Sequence, residues 1–126
     1  MRLIKHQIVV GSEVHEVVVQ GKTIDGKVHL DIDSLVGAQR ALARALIETS
    51  VGYDRALANF VINVIGEKAS TLAKYLEVEP ATISQIRHGK KCSAALWKLF
   101  RITAHSLLSE KRDRVLDRMI RGSTTA

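Results

Sequence analysis

The chain has one cysteine, one proline and no long hydrophobic run. The single cysteine, Cys92, excludes an internal disulfide and a zinc cluster built from cysteines, and it fits a reducing cytoplasm. No apolar run approaches the roughly 18 residues that a membrane span requires. No basic and then apolar leader with a small-residue cleavage site is visible, so we expect a cytoplasmic protein. The length of 126 residues predicts one domain, or one small domain with an appendage.

Residue patterns that would indicate catalysis or a bound metal are also scarce. His6 and His15 share one face of a predicted sheet, but two nitrogen ligands without a cysteine or paired carboxylates favour packing over a metal site. Residues 21–27 read GKTIDGK, but Val28 and a strand follow where a phosphate-binding loop needs Ser or Thr and a helix. Cys92 stands beside two lysines that could lower its pKa, but no second redox partner is visible. We therefore predict no enzyme activity, no metal and no cofactor.

The formal net charge of +6 is unevenly placed along the chain. Residues 1–34 hold 4 basic and 5 acidic side chains, and residues 35–67 hold 3 of each. Residues 68–126 hold 12 basic and 5 acidic side chains, so the whole excess falls there. A basic excess confined to one region is what a phosphate-binding surface needs, whereas a generally basic protein would spread its charge evenly.

Residues 2–33 predict a three-stranded antiparallel meander. Asp25-Gly26 is a pair typical of a type I′ turn, and Gly11-Ser12 suits a type II′ turn. If both are two-residue loops, Ile4 lies opposite Val19, which then lies opposite Ile32. The two turns independently place apolar residues on one face: Ile4, Ile8, Val10, Val17, Val19, Val28, Leu30 and Ile32.

The opposite face of this meander is polar but contains Leu3, Val9, Val14 and Val18. A sheet this small needs a helix or a second copy to cover its apolar face. The extra apolar residues on the other face predict a surface that contacts a partner.

Helical periodicity follows in the rest of the chain. Asp33-Ser34 predicts an N-cap for a helix over about 35–49, on which Arg40 and Arg44 are expected to be solvated. Further helices are predicted over about 54–65, 94–105 and 109–121, with Trp97 at the core boundary and Leu99 pointing inward. The fold class is therefore predicted as α+β. An N-terminal three-stranded antiparallel β-meander (1–34) precedes an all-α domain (35–126).

Two short helices joined by a tight turn are predicted within residues 69–89. From Leu72 to Gly89 the chain reads LAKYLEVEPATISQIRHG. Pro80 favours the first turn of the second helix for two reasons. Its fixed φ suits that position, and its missing N–H would have no acceptor within the helix there. Gly89 can adopt positive φ and end it. With the small Ala73 where the helices would cross, this is the pattern of a helix-turn-helix.

At these positions the chain resembles the Cro/lambda-repressor (XRE-like) helix-turn-helix family. The resemblance extends loosely over about 54–108, as the five-helix domain of that family would require, and Glu77 departs from it where the family usually has Gly. The matching residues are Leu72, Ala73, Leu76, Val78, Thr82, Ile83, Ser84, Ile86 and Gly89.

A helix of this kind reads base edges in the major groove with residues near its start. The outward residues there are Ala81, Thr82 and Gln85, and the Gln85 amide can pair bidentately with adenine. The residues expected at phosphates are Ser70, Thr71, Arg87, His88, Lys90 and Lys91.

Together the resemblance and the charge predict a sequence-specific double-stranded DNA-binding transcriptional regulator, a dimeric repressor on an inverted-repeat operator. The sequence offers two candidate surfaces for the dimer: the N-terminal sheet, which we favour, and the helix at 109–121. The alternative is an antitoxin whose N-terminal module binds a toxin protein and whose helix-turn-helix autoregulates the operon. That layout is similar in outline to the MqsA/YgiT-type antitoxins, whose zinc-binding cysteine pairs are absent here.

Overall fold

The computed structural model describes residues 1–89 and 92–124, with side chains described as far as Ser109. The fold is α+β, as predicted: a three-stranded antiparallel sheet is followed by five helices. None of the helices in these ranges is both long enough and apolar enough to cross a membrane. The elements are β1 (Arg2–Val10), β2 (Glu13–Ile24), β3 (Lys27–Leu30), α1 (Ile32–Thr49), α2 (Arg55–Ile65), α3 (Ala69–Leu76), α4 (Pro80–His88) and α5 (Ala94–Thr124).

The sheet has the order β1-β2-β3 and the predicted register. Ile4 lies opposite Val19, and Gly21 lies opposite Leu30. The type I′ turn is confirmed, because both of its central residues, Asp25-Gly26, have positive φ, at 51° and 75°. A type II′ turn needs positive φ at its first central residue only. The other hairpin meets this requirement, because Gly11 has φ 63° and Ser12 does not have positive φ.

The prediction for the end of the sheet was wrong. Ile32 does not pair with Val19: it begins α1 and is 74% exposed. The N-cap is Asp31, whose Oδ2 accepts from the Ser34 N–H at 3.0 Å. The Asp31 N–H bonds to the Gln20 carbonyl at 2.8 Å, so the last sheet contact and the helix cap share one residue. The predicted boundary between residues 34 and 35 therefore falls inside the first turn of α1.

One face of the sheet packs on the helices. Ile8, Val10 and Val19 are buried on this inner face, where β2 contacts α1 and β1 contacts α2. The opposite, outer face has no covering element among the described residues, and its Leu3, Val9, Val14 and Val18 are 71%, 63%, 58% and 55% exposed.

The helices enclose a single hydrophobic core built from all five of them. Trp97 belongs to it at 3% exposed, whereas Leu99 is 40% exposed, so both sequence predictions for these residues were wrong. The buried face of α5 follows Trp97, Phe100, Ala104 and Leu108, a helical spacing that leaves Leu99 on the other side.

One continuous helix, α5, replaces the two helices predicted over 94–105 and 109–121. The segment between them contains no glycine or proline, and its Leu107 and Leu108 are 5% and 1% exposed, so nothing interrupts the helical face. The predicted apolar edge beyond Ser109 lies outside the side chains that the structure describes.

Candidate nucleic-acid interface

The two short helices α3 and α4 are joined by a tight turn at the predicted place. Leu72, Ala73 and Leu76 of α3 are buried with Ile83 and Ile86 of α4, and all five belong to the core. Because the two helices are anchored by the same apolar contacts, the outward face of α4 has a fixed orientation relative to the body of the protein.

The turn between α3 and α4 depends on a left-handed residue. Glu77 has φ 56° and ψ 43°, a left-handed conformation that glycine adopts more easily than residues with a side chain. Its N–H bonds to the Lys74 carbonyl at 3.2 Å, and the Val78 N–H bonds to the Ala73 carbonyl at 3.0 Å. Pro80 then occupies the first turn of α4, as predicted.

We expect Glu77→Gly to raise the free energy of unfolding by about 0.5–1 kcal/mol. The left-handed conformation costs a residue with a side chain about 1–2 kcal/mol, and the extra chain entropy of glycine offsets part of that gain. Urea unfolding measures the change. The control is Lys74→Gly inside α3, where the backbone is helical and glycine relieves no strain, so stability should fall by about 1 kcal/mol. Equal effects of the two substitutions would contradict the argument.

The C-terminal half of α4 is held by side chains from α2 and the residues before it. The Tyr53 hydroxyl donates to the Ile86 carbonyl. Asn59 Nδ2 donates to the Arg87 carbonyl at 2.8 Å, and Arg87 Nη2 donates to Asn63 Oδ1 at 3.3 Å. None of the three supporting residues, Tyr53, Asn59 and Asn63, was predicted from the sequence. The visible signal was that Asn59 and Asn63 are polar, lie one turn apart, and interrupt a helix whose other residues after Arg55 are all apolar.

Four side chains form an exposed stripe along α4, which we call the α4 stripe: Ala81, Ser84, Gln85 and His88. Their spacing places them on one face of the helix, opposite the buried Ile83 and Ile86. Of the residues predicted to read bases, Ala81 and Gln85 lie in this stripe and Thr82 is half-buried beside it. Ser84, one turn after Ala81, was missed, although the same spacing could have found it.

The residues predicted to contact phosphates differ in their location and in how far they are exposed. Ser70 is exposed and Thr71 half-buried in the first turn of α3, whose N-cap residue makes no side-chain capping bond, so backbone N–H groups there can donate to an anion. Arg87 is half-buried against α2, and His88 is exposed. Lys90 and Lys91 lie outside the described residues.

The charges on the described part of the motif are mixed. Lys68 is exposed at the start of α3 and Lys74 is exposed within it. Two acidic residues, Glu77 and Glu79, are exposed in the turn that follows. Arg101 bonds to the carbonyls of residues 47 and 48. Most of the basic excess of residues 68–126 belongs to side chains that the structure does not describe.

The other candidate sites show little chemistry. His15 Nε2 lies 3.4 Å from Glu13 Oε2, and in the described ranges no three His, Cys, Asp or Glu side chains come together as a metal site. Burial raises the pKa of the Cys92 thiol, which opposes the thiolate that redox sensing would need.

The class of structure is therefore an α+β chain with two short helices joined by a tight turn, the second of which has an exposed and mostly polar stripe. Comparison of the chain with protein-family models, curated proteins and solved structures finds no match.

Proposed function

We propose that this chain is a cytoplasmic, sequence-specific double-stranded DNA-binding transcriptional regulator that works as a dimeric repressor and inserts α4 into the major groove. The observation that carries the proposal is the α4 stripe. Its side chains are uncovered by the rest of the protein, while the opposite face of the helix is buried and its C-terminal end is held by α2. A rigid helix with an uncovered polar face fits direct reading of base edges.

Each residue has a proposed role. Gln85 pairs with an adenine, Ser84 and Thr82 offer hydroxyls, and Ala81 makes apolar contact with a thymine methyl. Ser70, Thr71, Arg87, His88, Lys90 and Lys91 contact phosphates. The resemblance to the Cro/lambda-repressor family supports the same assignment.

Selection of bound DNA from a random pool, at stated salt, tests the function directly. An inverted repeat with half-sites about 34–36 Å apart is expected for a dimer. Recovery of no preferred sequence would contradict sequence-specific binding.

We expect Gln85→Ala to cost about 1–3 kcal/mol of binding free energy and to relax the preference at one base pair. Lys90→Ala is the control, because loss of a lysine proposed to contact a phosphate should weaken binding to all sequences and reduce the salt slope by about one. Titrations of both variants against the operator and its single-base variants separate the two results. A uniform loss for Gln85→Ala would exclude its role in reading bases.

We propose that the outer face of the sheet is where two copies meet. Its four apolar side chains are uncovered, and Lys5 and Glu16 on the same face lie 3.9 Å apart with 78% and 54% of their side chains exposed. A face that carries cations together with an anion can be self-complementary, because a two-fold axis can place Lys5 of one copy opposite Glu16 of the other.

A second candidate function is supported by the same outer face. An antitoxin would use this apolar surface to bind a toxin protein and the helix-turn-helix to repress its own operon. A toxin reading frame beside the gene, and co-purification of its product with this chain, would favour that role. Loss of the complex on substitution of Val9 and Val18 would locate the contact.

A further inference from the structure

Arg40 on α1 carries a guanidinium group for which the described part of the chain provides no hydrogen-bond partner at two of its nitrogens. Its Nε and Nη1 atoms are inaccessible to water and make no hydrogen bond. Burial lowers the pKa of this group, because the charged form loses part of its hydration. The prediction that Arg40 is solvated was therefore wrong. Because a poorly solvated charge without a counter-ion is destabilising, an anion placed close to this group would be favourable.

A cavity of about 280 Å³ opens beside this guanidinium. Its described lining is Gly37, Arg40, Ala41 and Arg44 of α1 with Leu108 of α5, a set that contains two cations and no carboxylate. Arg44 lies one turn after Arg40, and its Nη1 makes only a long bond of 3.4 Å to Ser109 Oγ. Apart from its own helix and its chain neighbours, nothing described lies within 4 Å of where a Cβ on the exposed Gly37 would project, so there is free space on that side.

We propose that this cavity binds a small anion through a carboxylate or phosphate group held between Arg40 and Arg44. Guanidinium groups match the geometry of both anions and form charge-assisted bonds with them. The methyl of Ala41 and the side chain of Leu108 supply an apolar wall for the remainder of a small organic anion. Since α1 packs against α2, α5 and β2, the cavity is separate from the α4 stripe and does not depend on the proposed DNA binding.

The rival explanation is that α5 supplies the anion itself. Glu110 and Asp113 follow Ser109 in the sequence, and their side chains lie outside the described residues. A carboxylate from either residue would neutralise the arginines without any ligand. The experiment must therefore distinguish an added anion from one within the chain.

Titration of the full chain with inorganic phosphate, and separately with acetate, at constant ionic strength tests the site. We expect a saturable shift of the Arg40 Nε–H resonance and a rise in Tm, with a dissociation constant on the order of 1 mM or below for one of the two probes. Arg40→Met and Arg44→Met should each weaken binding by about 10-fold or more. Lys22→Met on the sheet and Lys74→Met on α3 remove the same charge elsewhere and should leave it unchanged. Absence of saturation with both probes, or equal losses in the controls, would overturn the proposal.

The stability of Arg40→Met without added anion gives an independent answer. If the guanidinium lacks a partner, its replacement by an apolar side chain should raise Tm in an anion-poor buffer. A fall in Tm would mean that a carboxylate of the chain already pairs with Arg40, and the anion site would be rejected. If phosphate still binds while no DNA sequence is selected, only the proposed function fails.

Discussion

A variant that carries Val9→Lys and Val18→Glu is expected to be monomeric and to bind the operator about 100-fold more weakly than the unmodified chain. Both side chains lie on the uncovered outer face of the sheet, at 63% and 55% exposed, so the changes spare the inner face that packs on α1 and α2. Val18 pairs with Lys5 across the strands, so the carboxylate introduced by Val18→Glu would lie opposite an ammonium group and keep the hairpin paired. A monomer engages one half-site and loses the high effective concentration that links the second.

Sedimentation equilibrium and titration on whole and half operators measure these two effects. The control pair Val28→Lys and Val51→Glu makes the same charge changes at 53% and 100% exposed valines away from the outer face, and it should remain dimeric. Deletion of residues 1–33 should also give a monomer with weaker operator binding. It additionally removes the buried Ile8, Val10 and Val19, so it is the less selective test. A double variant that stays dimeric would move the interface to the C-terminal part of α5.

The β-hairpins could be predicted from the sequence because their determinants are local. Asp25-Gly26 specifies its turn through the positive φ of both residues, and the alternation of apolar side chains then sets the register. The start of α1 could not be predicted in this way. Asp31, Asp33 and Ser34 can all cap a helix, and the choice of Asp31 depends on its contact with Gln20 of the sheet.

In the candidate interface, too, the features set by local sequence could be predicted and those set by distant contacts could not. Helical spacing alone predicts that Ala81 and Gln85 share a face opposite Ile83 and Ile86. The contacts that hold α4 to the body join Tyr53 to a carbonyl 33 residues away and Asn59 to one 28 residues away. Such pairs leave no periodic trace in the sequence, and only the folded chain brings them together. DNA binding itself remains a proposal, with the α4 stripe as its structural support.

Trp97→Ala is expected to lower the free energy of unfolding by about 3–5 kcal/mol, a large share of the roughly 5–15 kcal/mol typical of a domain. The indole is 3% exposed and stacks on Phe100 with ring centroids 5.3 Å apart. It also meets the Tyr53 ring edge-on at 5.3 Å, and its Nε1 donates to Ser50 Oγ at 3.2 Å. The substitution therefore removes apolar burial, two ring contacts and one hydrogen bond, and leaves a cavity at the centre of the core.

Leu99→Ala on the same helix is the matched control, because that side chain is 40% exposed and its loss should cost about 1 kcal/mol or less. Urea unfolding of both variants gives the comparison, and similar costs would show that the aromatic cluster is not the centre of the core. A second effect follows from Tyr53, whose hydroxyl donates to the Ile86 carbonyl of α4. Because Trp97 packs against the ring that carries this hydroxyl, its removal should also loosen the α4 stripe. Faster hydrogen exchange of the α4 amides, relative to those of α3, would show that loosening under conditions where the variant remains folded.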